Sequence, residues 1–148
     1  MTKVDIASLY HNIIIDHAKS PDNYGKLDTY THFYEGHNAL CGDKIIVYLK
    51  VEDSKIKEMK FESAACAICN ASSSMLSDRV KDISIKEWES ILSYFRRFIA
   101  SPQNPLSFNN RLGKSFLAFK ALEDFPARKK CALLPWETLE YALSEKVN

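Results

Sequence analysis

Between residues 5 and 18 apolar positions recur at steps of three and four. Ile6, Leu9, Tyr10, Ile13, Ile14 and His17 then fall on one side of an amphipathic helix. Pro21 and Gly25 stop it, within Ser20-Pro21-Asp22-Asn23-Tyr24-Gly25. From Thr29 to Glu62 the period shortens to two. Thr31, Phe33 and Tyr34 suit an edge strand, and Ile45, Val47, Leu49 and Val51 alternate with Lys44, Ile46, Tyr48 and Lys50. Asp53-Ser54 makes a turn, and Ile56, Met59 and Phe61 mark a third strand. The pattern predicts a small antiparallel meander with one buried face.

After Ala64 the chain reads as helical. One helix spans Ala67 to Val80. Ser84, with Glu87 three residues on, opens a second as a capping box, ending near Ile99. Ser101-Pro102-Gln103-Asn104-Pro105 reads as a loop, and a third helix runs from about Asn109 to Leu122. Phe125-Pro126 interrupts, and Ala127 to Leu143 is helical with a break or restart expected at Pro135. Strands first and helices afterwards predict an α+β fold, with helices on one face of a three-stranded sheet.

The length of 148 residues suits one domain spanning 1–148. Twenty Lys and Arg against nineteen Asp and Glu leave a formal charge of +1. No global field therefore draws the protein to nucleic acid or an acidic membrane. No apolar run approaches the ~18 residues of a membrane span. Met1-Thr2-Lys3-Val4-Asp5-Ile6 lacks the apolar stretch of a secretory leader. Together these predict a cytoplasmic protein, where cysteines bind metal or do chemistry more often than they form disulfides.

The four cysteines fall at element ends. Cys41 precedes the strand that begins at Lys44, Cys66 and Cys69 sit where the third strand gives way to helix, and Cys131 lies near the start of the last helical region. Zinc takes thiolate, imidazole and carboxylate in tetrahedral array. Cys41, Asp43, Cys66 and Cys131 would supply three sulfurs and an oxygen, with Gly42 permitting the tight backbone that Cys-x-Asp needs. Iron–sulfur clusters also take thiolates, and a carboxylate ligand would make such a cluster labile. The competing reading is plain packing, since free cysteine is among the most buried residue types. Cys66-x-x-Cys69 alone is a weak signal for zinc or thiol exchange. His17 and His37 are further ligand candidates, set against a helix-end role for His17 and a surface loop role for His37. Arg96-Arg97 reads as a solvated helix face.

Four motifs in order resemble the IscU/NifU-N-terminal-like iron–sulfur assembly family, most closely its SufU branch. They are Tyr10 with Ile14, Asp16-His17, Pro21, Asn23 and Gly25; Asn38-Ala39-Leu40-Cys41-Gly42-Asp43; Phe61 through Cys66-Ala67-Ile68 to Ala71-Ser72-Ser73-Ser74-Met75; and Phe125-Pro126-Ala127-Arg128-Lys129-Lys130-Cys131-Ala132-Leu133-Leu134-Pro135-Trp136. Lys130, where IscU-type members carry His, and the extra length around Ile83 to Asn110 select the SufU branch. The resemblance implies a SufU/IscU-like fold with about five or six helices packed on a three-stranded antiparallel sheet. It implies zinc held by Cys41, Asp43, Cys66 and Cys131, or alternatively an iron–sulfur cluster at the same residues. It further implies Cys131 as acceptor of persulfide sulfur from a SufS-like cysteine desulfurase, with Arg128 beside it.

The activity so implied is that of a zinc-dependent sulfurtransferase. Its alternatives are a scaffold that hands a labile cluster to apo iron–sulfur proteins, and a structural zinc module that only binds partners. The expected assembly is a monomer or weak dimer. This sequence departs from the family pattern at Ala39, in place of Pro, and at Ser63-Ala64-Ala65, in place of Gly-x-Gly. It departs again at Cys69, which replaces Ser and is expected to be inert or a spare ligand.

Overall fold

The structure, a computed structural model, describes residues 3–101 and 112–145, with side chains from Tyr10 onward. A first helix, α1 (Lys3–Lys19), leads into a meander of β1 (His32–Asn38), β2 (Asp43–Glu52) and β3 (Lys55–Ala64). Helix α2 (Ala67–Arg79) follows, then a two-residue strand β4 (Ile83–Ser84) and helix α3 (Ile85–Ala100). A 3₁₀ segment (Lys114–Asp124) and helix α4 (Pro126–Leu143) complete the described residues.

The sheet is antiparallel with order β1-β2-β3-β4, so it has four strands where the sequence predicted three. The extra strand pairs Ile83 with Ile56 and Ser84 with Lys55. Two residues cannot display a period of two, which is why alternation missed them. Ser84 serves both elements, since its hydroxyl also accepts the Glu87 N–H at 3.0 Å and so opens α3 as the capping box predicted.

Ile45, Val47 and Leu49 of β2 are fully buried, and α4 lies across β1 and β2 on their side of the sheet. Gly36 of β1 marks the closest approach. A methyl group at this position would overlap Thr138 Oγ1 of α4. Trp136 stacks on Phe95 of α3 with ring centroids 4.0 Å apart. Its indole N–H donates to the buried Ser72 hydroxyl of α2 at 3.1 Å, and that hydroxyl donates to the Ala132 carbonyl at 2.6 Å. This chain of bonds fixes the stretch next to Cys131 against α2.

Helix α4 passes through Pro135 without the break that sequence predicted. An internal proline costs about 3 kcal/mol. Burying Leu134, Trp136 and Leu139 on the same helix returns about 1.5–3 kcal/mol each, so packing prevails. The expected helix ending near Leu122 is instead a 3₁₀ run. Phe116, Phe119 and Leu122 are buried at a spacing of three, which matches the three-residue turn of that conformation. The predicted loop at Pro102–Pro105 and the helix start at Asn109 lie outside the described residues.

The Pro21–Gly25 motif and the serine run of α2 are explained by one another. His17 Nδ1 lies 2.7 Å from Ser74 Oγ, which also accepts the Asp22 N–H at 2.8 Å. Asn23, in the left-handed region at φ 58°, donates to Ser77 Oγ and Asp78 Oδ1, both at 2.9 Å. Partial burial, and then the carboxyl of Asp22, push Asp78 up to about 6. Gly25 N–H donates to the Phe61 carbonyl at 2.8 Å, which ties the same loop to β3.

The Gly36 packing gives a direct check. Gly36→Ala should lower unfolding free energy by about 1–3 kcal/mol, the usual cost of overpacking. Denaturant melts should show part of that loss recovered in the double variant with Thr138→Ala. Equal stability of Gly36→Ala and the parent would mean that α4 is not seated this tightly on β1.

Candidate metal centre

Three element ends converge on one point. Cys41 lies in the turn Ala39–Gly42 between β1 and β2, closed by the register pair Asn38↔Asp43. The Cys41 N–H donates to the Asn38 carbonyl at 3.2 Å, and the Leu40 N–H to the Asn38 side-chain oxygen at 3.3 Å. Gly42 has φ +70° with open space where a Cβ would sit, so its requirement is conformational rather than steric. The turn leaves Cys41 exposed and puts Asp43, only 3% exposed, at the buried first position of β2.

Cys66 is the N-cap of α2, and its own side chain makes no capping bond. Asp43 supplies it instead. Its carboxylate accepts the Cys66 N–H at 2.9 Å and lies 3.6 Å from the Cys66 thiol. A buried anion is favourable there because the helix N-terminus presents free N–H groups and positive dipole. Ser63 and Ala65 in place of the family glycines do not disturb this path. Positive φ occurs at neither residue, and Cys66 is extended at φ −69°, ψ 166°.

Cys131 projects from the second turn of α4, fully buried, with its sulfur 3.4 Å from Cys41 Sγ. The donor atoms of Cys41, Asp43 and Cys131 all lie within 4.8 Å of one another, and Cys66 joins through Asp43. The Asn38 amide approaches Cys131 Sγ at 3.9 Å. Burial, then contact with Cys41, Asp43 and Cys66, pushes the Cys131 thiol well above its ordinary range. The exposed Arg128 guanidinium lies against Cys66 and Cys131, whose charge raises its own pKa. This explains a cation in the first turn of a helix, where the dipole alone disfavours it.

The donor set fits zinc. Zn–S bonds of ~2.3 Å in a tetrahedron place sulfurs about 3.8 Å apart, close to the observed 3.4 Å separation. The buried Asp43 carboxylate supplies the hard oxygen and the anionic charge. The other candidates are placed elsewhere. His17 bonds Ser74, and His37 pairs with Glu35 on exposed β1 at 3.4 Å. Cys69 is buried in α2 among core residues, and burial pushes its thiol up strongly. Arg96 pairs with Glu140 at 2.8 Å.

A family model described as the NifU-like N terminal domain matches residues 9–132. The chain belongs to this NifU-like family. A relative named iron–sulfur cluster assembly scaffold protein IscU, from Thermotoga maritima, is 35% identical over 93% of this chain and 94% of its own length. One named zinc-dependent sulfurtransferase SufU, from Bacillus subtilis, is 31% identical over 96% of this chain and 94% of its own. Among solved structures, a SUF-system candidate assembly scaffold from Fervidobacterium islandicum superposes with a TM-score of 0.77. It is 29% identical and covers 88% of this chain and 93% of that one. The N-terminal NifU-like protein of Brucella abortus gives 0.81 at 24% identity, over 94% of each chain, which shows the shared fold. Among the described residues no helix is long and apolar enough to cross a membrane.

Sequence reasoning missed two things in this NifU-like site. One is the role of Asn38, whose side chain bonds the following backbone, as an Asn opening a turn commonly does. The capping of α2 by Asp43 joins residues 23 apart, and no local pattern encodes it. The geometry predicts that Cys41→Ala, Asp43→Ala and Cys66→Ala each lower bound zinc at least tenfold, while Cys69→Ala retains it. Elemental analysis after dialysis against a weak chelator reads this out. Metal loss from Cys69→Ala as large as from the other three would overturn the ligand set.

Proposed function

We propose that this chain serves iron–sulfur cluster assembly by accepting persulfide sulfur from a cysteine desulfurase, at a zinc site of Cys41, Asp43, Cys66 and Cys131. The observation that carries this reading is one exposed thiol 3.4 Å from a buried one, beside a buried carboxylate. Zinc, when bound, would keep these thiols ionised near neutral pH, which burial otherwise opposes. The naming of the Bacillus subtilis relative supports the same role.

The sulfur-accepting step needs a thiolate that a protein-borne persulfide can reach. Cys131 is the acceptor that the family resemblance implies, but it is buried behind Cys41. Exposure therefore moves the assignment to Cys41. The Cys41 thiolate attacks the outer sulfur of the donor persulfide. A new S–S bond forms on Cys41, the donor's S–S bond breaks, and the donor cysteine departs as thiolate. Both electron pairs stay within sulfur, so no outside oxidant or reductant is needed. Arg128 supplies positive potential to the thiolates while charge moves between them. Asp43 holds the start of α2 in place while Cys41 is engaged with the donor.

A second reading follows from the same donors. Thiolates with one carboxylate at a surface would also carry a labile iron–sulfur cluster as cargo, and the Thermotoga relative bears the scaffold name. Mass spectrometry separates the two after incubating the zinc-loaded protein with a desulfurase and cysteine. The proposal expects a +32 Da persulfide (about the mass of one sulfur) on Cys41. It expects Cys41→Ser to lose at least tenfold of the desulfurase stimulation. Sulfur mapped to Cys131 in Cys41→Ser would restore the earlier acceptor. No sulfur on any cysteine, with a transferable cluster after anaerobic reconstitution, would select the scaffold.

A further inference from the structure

Sulfur accepted on Cys41 sits against a second thiol that the accepting step does not use. Cys131 Sγ is 3.4 Å from Cys41 Sγ. The other two thiols are engaged elsewhere. Cys66 Sγ faces the Asp43 carboxylate at 3.6 Å, and Cys69 is buried in the core with α2.

Cys41 is exposed and Cys131 is fully buried, so the line from Cys131 to Cys41 runs from the interior towards solvent. A protein-borne persulfide arrives from solvent and adds its sulfur on the outer side of Cys41. The added sulfur then points away from Cys131. Thiol exchange is a displacement at one of two sulfurs, and its product depends on which is attacked. Attacker and leaving group take opposite sides of that sulfur. Cys131 meets this condition for the inner sulfur, Cys41 Sγ, and not for the outer one. Closing the 3.4 Å contact to a bond of ~2.05 Å takes about 1.4 Å of movement. The turn that carries Cys41 can supply it, whereas Cys131 is fixed on a packed helix.

We propose that Cys131 is a resolving thiol, which releases the sulfur bound on Cys41 as hydrogen sulfide and leaves a Cys41–Cys131 disulfide. The inference rests on the sulfur-acceptor reading, and it adds what becomes of the sulfur. The Cys131 sulfur bonds to Cys41 Sγ, and the bond from Cys41 Sγ to the added sulfur breaks. The added sulfur leaves with that electron pair and takes the Cys131 proton. It is reduced to sulfide while the two cysteines are oxidised to a disulfide, so the step needs no outside reductant. A dithiol reductant must restore the thiols before another round. Arg128 lies against Cys131, and the Asn38 amide approaches it at 3.9 Å, so both favour electron density on the attacking sulfur. With zinc bound, Cys131 is engaged as a ligand. The sulfur on Cys41 is therefore kept while the metal stays and discharged when it is withdrawn.

The test loads zinc-bound protein with sulfur from glutathione persulfide, desalts it, and adds a strong chelator under anaerobic conditions. Released sulfide is assayed, and peptide mapping follows the cysteines. The parent should release about one sulfide per bound sulfur and acquire a Cys41–Cys131 disulfide. Cys131→Ser should cut sulfide released per bound sulfur at least tenfold, and thermal melting checks its fold. Cys69→Ser should release sulfide as the parent does. Four outcomes would overturn the proposal: bound sulfur that persists on the parent after chelation, sulfur carried over to Cys131 as a persulfide, a disulfide from Cys41 to Cys66, Cys69 or a second copy, or undiminished release from folded Cys131→Ser. The underlying reading fails separately, if the parent takes no sulfur from a desulfurase supplied with cysteine. Loading by glutathione persulfide still measures the resolving step in that case.

Discussion

A buried carboxylate at the head of β2 holds the start of α2. Asp43 accepts the Cys66 amide at 2.9 Å, and α2 has no capping side chain of its own at that end. One ion thereby fixes the distance between two of the three segments that bear thiols. It also sets their chemistry. A carboxylate buried at 3% exposure beside sulfur needs compensating positive charge; the helix N-terminus supplies part of it, and a bound metal would supply the rest. The rest of the fold serves that point. The meander delivers Asp43, and the Gly42 turn delivers Cys41. Ser72 and Trp136 pin α4 so that Cys131 closes the cluster.

The thiols are unequal because the elements that carry them are unequal. Cys41 rides on a four-residue turn and faces solvent. Cys131 rides on a helix pressed into the core, and its thiol resists ionisation unless something positive lies near. Of the two, the exposed thiol is the one that a bulky partner can reach.

Most elements could be read from the chain because their periods are local. Alternation along Ile45, Val47 and Leu49, the Ser84 box, and the stop at Pro21 each depend on residues within one turn of each other. Three features could not be read that way. The strand Ile83–Ser84 is too short to alternate, and Pro135 is carried through its helix by burial of Trp136 and its neighbours. The turn at Lys114–Asp124 is set by aromatic packing spaced at three. At the site, residue types and motif order were legible, and so was the choice of Cys41, Asp43, Cys66 and Cys131 as candidates. The order of exposure among the thiols was not, because burial of Cys131 depends on where α4 lies against the sheet.

Zinc K-edge X-ray absorption on the protein as isolated tests the convergence most directly. The account predicts three sulfur scatterers at about 2.3 Å and one oxygen at about 2.0–2.2 Å. A shell of four sulfurs, which would bring Cys69 out of the core, or a shell containing imidazole, would contradict it.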